Sequence, residues 1–134
     1  MRVLFAILFS ILVSCNLQGK KGVNISCSEK LVLKDSLVIN WKLDSLGCNG
    51  FRNATVLQVI FEKYWLYTKG VNEIKIVLGR ANEEYVNDRY YGFRYYSGNS
   101  CVNGKLPFQS EKCWFEVLIS KKNDEETGYA KVCQ

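Results

Sequence analysis

Chemistry in this chain would start at its cysteines: Cys15, Cys27, Cys48, Cys101, Cys113 and Cys133. There is no histidine. No imidazole is therefore present to activate a serine or cysteine nucleophile, or to complete a His-containing zinc site. No Cys-x-x-Cys pair exists for dithiol redox work. Cys101 and Cys113 bracket a loop that holds Asn103-Gly104 and the sole proline, Pro107. Their spacing predicts a structural disulfide, which for a loop of about a dozen residues contributes roughly 3 kcal/mol in the chain-entropy picture. Cys48 follows a turn glycine near the start of a predicted helix, where a thiol pKa falls. It is a bridge partner for Cys27 or Cys133, or a lone thiol, and no base is available to make it a nucleophile. Carboxylate pairs are the remaining route to hydrolysis. Glu83-Glu84 and Asp124-Glu125-Glu126 are contiguous and read as solvated loops, while Asp44 and Glu62 stand alone. Neither a phosphate-binding glycine loop nor an Asp-rich calcium loop is present, so no catalytic residue, metal or cofactor is expected.

Cys15 has a special setting. Met1-Arg2 is followed by an apolar run from Val3 to Val13, interrupted only by Ser10. That is too short to span a bilayer and suits a signal-peptide core. Leu12-Val13-Ser14-Cys15 resembles the bacterial lipoprotein cleavage motif, in which the cysteine becomes the lipid-bearing first residue. Two or more acyl chains anchor a protein stably where one does not. The rival is an ordinary secretory signal cut near Ser14, leaving six cysteines for three bridges, as in a secreted eukaryotic domain. Asn24-Ile25-Ser26 and Asn53-Ala54-Thr55 fit glycosylation acceptors and suit that rival. Lipidation of Cys15 leaves five cysteines, an odd number.

Loss of residues 1–14 lowers the net charge from +5 to +4, too little and too scattered for nucleic acid. Residues 15–30 read as the lipidated cysteine and a polar tether, and residues 31–134 as a single α+β domain.

Within that domain Leu31 to Leu43 is expected to be extended, from its β-branched content. Arg52 to Leu66 is the strongest helix: Leu57, Ile60, Phe61 and Tyr64 make one stripe, which Val56, Val59 and Trp65 broaden. A second helix runs from an N-cap at Gly70, with Glu73 in its first turn, to a stop at Gly79. Strands follow at Tyr90 to Tyr96, Trp114 to Ser120 and Tyr129 to Cys133. The first alternates Tyr91, Phe93 and Tyr95 against Tyr90, Arg94 and Tyr96. Its inner side is expected to be core and its outer side half-wet, so Tyr90, Arg94 and Tyr96 are the candidate surface for a protein partner.

The stretch Gly70-x-x-Glu73-Ile74-x-x-Val77-Leu78-Gly79-Arg80-Ala81-Asn82, continued by Tyr91-Gly92-Phe93-Arg94-Tyr95-Tyr96, resembles the SmpA/OmlA family of small outer-membrane lipoproteins and the wider β-lactamase-inhibitor-protein-like domains. Val77-Leu78-Gly79 matches the family's helix end, Ala81 replaces its proline, and Phe93-x-Tyr95 matches its aromatic strand. Trp41 to Cys48 and Cys113-Trp114 look like small lipoproteins of Bacteroidetes. The likeness covers about residues 41–120. It implies two helices packed on a three-stranded antiparallel sheet and a non-enzymatic role as an envelope-stabilising or assembly-associated lipoprotein. Asn16 after the lipidated cysteine would favour outer-membrane sorting. An inhibitor or ligand-binding lipoprotein on the same scaffold is the alternative.

Overall fold

The computed structural model describes Val32 and residues 34–99, 101–107, 111–122 and 126–134. The expected signal peptide (1–14), the lipid site Cys15 and the tether (15–30) lie outside the described residues. Those residues form three helices followed by a four-stranded antiparallel sheet, an α+β arrangement with one more helix and one more strand than expected.

The additional helix is α1, Ser36–Leu43, in the stretch expected to be extended. The Asp35 side chain caps it, accepting from the Leu37 amide at 3.0 Å. Val38 and Trp41, three residues apart, are fully buried on one side. Val38 and Ile39 suggested a strand, but capping and the burial of Trp41 outweigh β propensity.

Helix α2, Ala54–Lys63, buries Leu57, Ile60 and Phe61 as the stripe requires. Asn53 caps it, its Oδ1 accepting from Val56 N at 3.0 Å while its Nδ2 donates to Gly50 O at 2.8 Å. The side-chain amide of the Asn53-Ala54-Thr55 triplet is thus engaged in the helix start. The helix ends three residues before the expected Leu66, because Trp65 takes a left-handed conformation, φ 54° and ψ 41°. Trp65 does not broaden the buried stripe; it is 74% exposed. A 3-10 turn, Leu66–Thr68, leads to α3, Val71–Leu78. Here Gly70 is the N-cap, Glu73 lies in the first turn and Gly79 (φ 77°) ends the helix, as expected.

The strands β1 (Glu83–Val86), β2 (Tyr90–Tyr96), β3 (Cys113–Ser120) and β4 (Thr127–Cys133) form a meander in the order β1-β2-β3-β4. β1 is a correction: Glu83-Glu84 is not a loop but an edge strand, pairing Glu83 with Arg94 and Tyr85 with Gly92. Charged, short edges are a common way to discourage edge-to-edge association. Phe93, Tyr95, Phe115, Val117 and Ile119 face the helices and join Trp41, Leu57, Phe61, Leu66, Ile74 and Leu78 in one core. Full burial of each such side chain is worth about 1.5–3 kcal/mol, which holds together helices with modest intrinsic propensity. The opposite face, with Glu83, Tyr85, Tyr90, Arg94, Tyr96, Trp114, Glu116, Leu118, Ala130 and Val132 at alternating positions, bears none of the three helices.

The cysteines pair differently from expectation. Cys101 bonds to Cys48, 53 residues away, and Cys113 to Cys133. Cys101 and Cys113 are therefore both bridged, but not to each other. The physical reason is register: β3 and β4 set Cys113 directly opposite Cys133, with Cα atoms 4.1 Å apart. The flanking pair Lys112 and Gln134 exchanges both backbone hydrogen bonds, so the cysteines occupy the closer, non-hydrogen-bonded type of cross-strand site. Cys101 is instead drawn to the loop after α1. That loop is fastened by Asn99, whose side chain donates to Leu46 O and accepts from Cys113 N. Gly47 lies so near β2 that a Cβ there would sit 2.6 Å from the Ser97 backbone. In the chain-entropy picture loops of these lengths give about 4 and about 3 kcal/mol.

Candidate functional site

β1, β2 and β3 carry the candidate surface. Strand register places Glu83, Arg94 and Glu116 in one row across the sheet. Arg94 donates from Nη1 to Glu83 Oε2 at 3.0 Å and from Nε to Glu116 Oε1 at 3.1 Å. Its guanidinium lies 5.2 Å from the centre of the Tyr85 ring and 5.0 Å from that of Trp114. The Tyr96 hydroxyl donates to the other Glu83 oxygen at 2.7 Å, and the Tyr85 hydroxyl to Glu116 Oε1 at 2.9 Å. Gly92 makes the arrangement possible, since a Cβ on it would fall 2.2 Å from the Tyr85 ring. An aromatic side chain resting over a strand glycine is a known device for filling such gaps.

This geometry fixes the protonation states. The Tyr96 hydroxyl, and after it Arg94, hold the Glu83 carboxyl below its ordinary value against the opposing effect of burial. Glu116 and Glu83 push the Arg94 guanidinium up. The Tyr96 phenol is raised by Glu83 and by burial, and that of Tyr85 by burial and then Glu116. At neutral pH Glu83 is thus an ionised acceptor, and the two phenols are neutral donors. The arrangement is a rigid display of charges and ring faces, suited to recognition.

Of the sequence-predicted surface residues, the structure brings Arg94 and Tyr96 together. Tyr90 stands apart, four residues down the strand or about 13 Å at 3.3 Å per residue. It lines a groove of about 400 Å³ with Leu118, Ser120, Thr127 and Tyr129. Trp114 is 6% exposed, and its buried indole Nε1 has no hydrogen-bond acceptor among the described residues.

Sequence reasoning missed Arg52. It is 2% exposed, with its guanidinium 5.5 Å from the ring centres of both Trp41 and Tyr95. Nε donates to Trp41 O at 3.0 Å, and Nη1 donates to Ser45 O at 2.9 Å and Asn82 Oδ1 at 2.8 Å. Ser97 Oγ donates to its backbone carbonyl. Desolvation lowers its pKa to about 10, against the favourable fields of Asp44 and Tyr95. Asp44, which looked isolated, is buried and accepts from the amides of Asn49, Phe51 and Arg52 at 2.9, 2.9 and 3.1 Å. The signal available in the sequence was the capping-type run Asp44 to Asn53; its partners on β2 are distant in sequence. A cavity of about 350 Å³ beside Arg52 also holds Lys42 and Arg80. Lys42 caps the end of α3 by donating to Ile76 O at 2.7 Å, so both inner cations serve helix ends.

Cys15, Cys27 and the Asn24 triplet lie outside the described residues. Among the described residues, no group of His, Cys, Asp and Glu is placed to hold a metal ion, and no helix is long and apolar enough to cross a membrane. No family model matches this chain, and neither a curated protein nor a solved structure does.

Proposed function

We propose that this chain is a lipid-anchored, non-enzymatic binding module of a Gram-negative cell envelope, tethered to the outer membrane through Cys15. In this reading it captures an envelope protein on the open face of its sheet. The observation that carries the reading is the Glu83–Arg94–Glu116 row, clasped by Tyr85, Tyr96 and Trp114. It is a preorganised polar and aromatic surface on the side without helices. The two disulfides support export, because such bonds persist in oxidising compartments. The bridges use Cys48, Cys101, Cys113 and Cys133 and leave Cys15 for lipid. The likeness of Gly70–Tyr96 to SmpA/OmlA lipoproteins points the same way, to envelope or outer-membrane protein assembly.

Two measurements test it together. Intact-mass analysis of the purified chain is expected to find an acylated N-terminal Cys15, and Cys15→Ala is expected to leave the membrane fraction. A photo-cross-linker at position 96 is expected to give one discrete protein adduct in the envelope, lost when Arg94 is replaced by Ala. A chain that is neither acylated nor cross-linked would sink the reading. A second reading, a small-ligand module on the same scaffold, is favoured by the groove at Tyr90. It predicts that Tyr90 substitutions, not those at Arg94, change binding.

A further inference from the structure

Trp65 follows α2 at a position where helices often end in a left-handed residue, usually glycine. A tryptophan there keeps φ at 54° and leaves its ring 74% exposed. Within the described residues only its backbone is hydrogen-bonded, to Glu62 and Thr68, and its ring meets no other aromatic ring. Beside it runs a groove of about 510 Å³, lined by Val32, Leu66, Ile76 and Val77 together with Lys63 and Lys69. An unfavourable backbone and an uncovered indole at one point mark a residue kept for something outside the domain.

Val32, at the start of the described chain, lines this same groove. It lies 17 positions after Cys15. Seventeen residues span at most about 60 Å. The lipid reading therefore keeps the Trp65 end of the domain within reach of the bilayer. We propose that Trp65 and the groove beside it form a membrane-interface contact, with the indole seated at headgroup depth and the Lys63 and Lys69 stems lying along the surface. Indole suits that layer because one side of it is apolar and its N–H needs a polar partner; lysine stems bury while their ammonium groups stay wet. Lys63 is paired with Asp35 at 2.7 Å, and Lys69 shares the groove with Glu73, so the contact is apolar and has no need of anionic lipid.

This inference rests on the Cys15 anchor, and the test separates the two. The chain has three tryptophans, and Trp41 and Trp114 are buried, so changes in emission report Trp65. Full-length acylated protein in phosphatidylcholine vesicles is expected to show blue-shifted emission, protection from acrylamide and quenching by lipids brominated near the headgroup. Trp65→Gly is expected to lose all three signals while keeping its acyl chains and its thermal midpoint, since glycine suits the left-handed backbone. For the unacylated Cys15→Ala chain, Trp65→Gly should weaken vesicle partitioning about tenfold, with no gain from anionic lipid and little effect of salt. An acylated chain whose Trp65 stays accessible in vesicles overturns the contact while leaving the anchor intact. Absence of the acyl mass overturns the anchor and, with it, the contact. Protection that appears only when an envelope protein is added assigns the surface to protein and overturns the proposal.

Discussion

Arg52 and Arg94 are held alike and serve differently. Each guanidinium lies between two aromatic rings, at 5.5 Å from both in one case and at 5.2 and 5.0 Å in the other. Arg52 faces the core, and its guanidinium donates to two backbone carbonyls and an amide oxygen, with no carboxylate partner among the described residues. Arg94 faces outward and donates to two carboxylates. Burial depresses the pKa of the first, and its acidic neighbours raise that of the second. The difference separates what holds the fold from what displays a surface. Even the nearby glycines follow it. Gly47, close to Arg52's loop, is pressed against backbone, whereas Gly92, beside Arg94, lies under a side chain, the ring of Tyr85.

The widest gap is expected from the arginines themselves. Arg52→Ala empties the space between Trp41 and Tyr95 and removes a donor from Trp41 O, Ser45 O and Asn82 Oδ1; it should cost about 4 kcal/mol, read as a lower urea midpoint. If the loss were no larger than for a surface residue, the two sites would not differ in kind. Gly47→Ala should cost about 3 kcal/mol through overpacking and a strained φ, and Gly92→Ala about 1 kcal/mol with loss of the Tyr85–Glu116 hydrogen bond. Equal thermal shifts for the two would erase the contrast. Arg94→Ala should change stability by less than about 1 kcal/mol, as partly exposed ion pairs do, yet abolish the envelope cross-link. The smallest effect is in Glu83. Its folded pKa lies below the ordinary value, so the stability it contributes is fully present above that value and fades as pH falls through the folded one. NMR titration should show the Glu83 pKa moving up toward 4.5 in Tyr96→Phe. No movement would mean that Tyr96 does not hold it.

The parts legible in the sequence were those with local signals. Gly70, Glu73 and Gly79 delimited α3, and alternation located β2, β3 and β4 and the sides of their residues. Arg94 and Tyr96 followed from that alternation. What escaped depends on contacts distant along the chain. Strand β1 hid behind two glutamates that look solvated until Arg94 and Lys75 are placed opposite them. The cysteine pairing was set by strand register and by Asn99. Arg52 has no sequence signal of burial, since its aromatic partners lie 11 positions before it and 43 after it. Helix α1 was obscured by β-branched residues, and Trp65 was assigned to the core because its helix was drawn three residues too long.

The Cys113–Cys133 bridge has a mechanical consequence. A hairpin pulled at its open end parts like a zipper, one rung at a time, each failing alone. In β3 and β4 that end is closed by a covalent link. Force applied beyond β4 parts the Lys112–Gln134 pair first and then meets the sulfur–sulfur bond. The hydrogen-bonded rungs behind it are sheltered. Under such a load the bridge would act as a latch that keeps the sheet in shape.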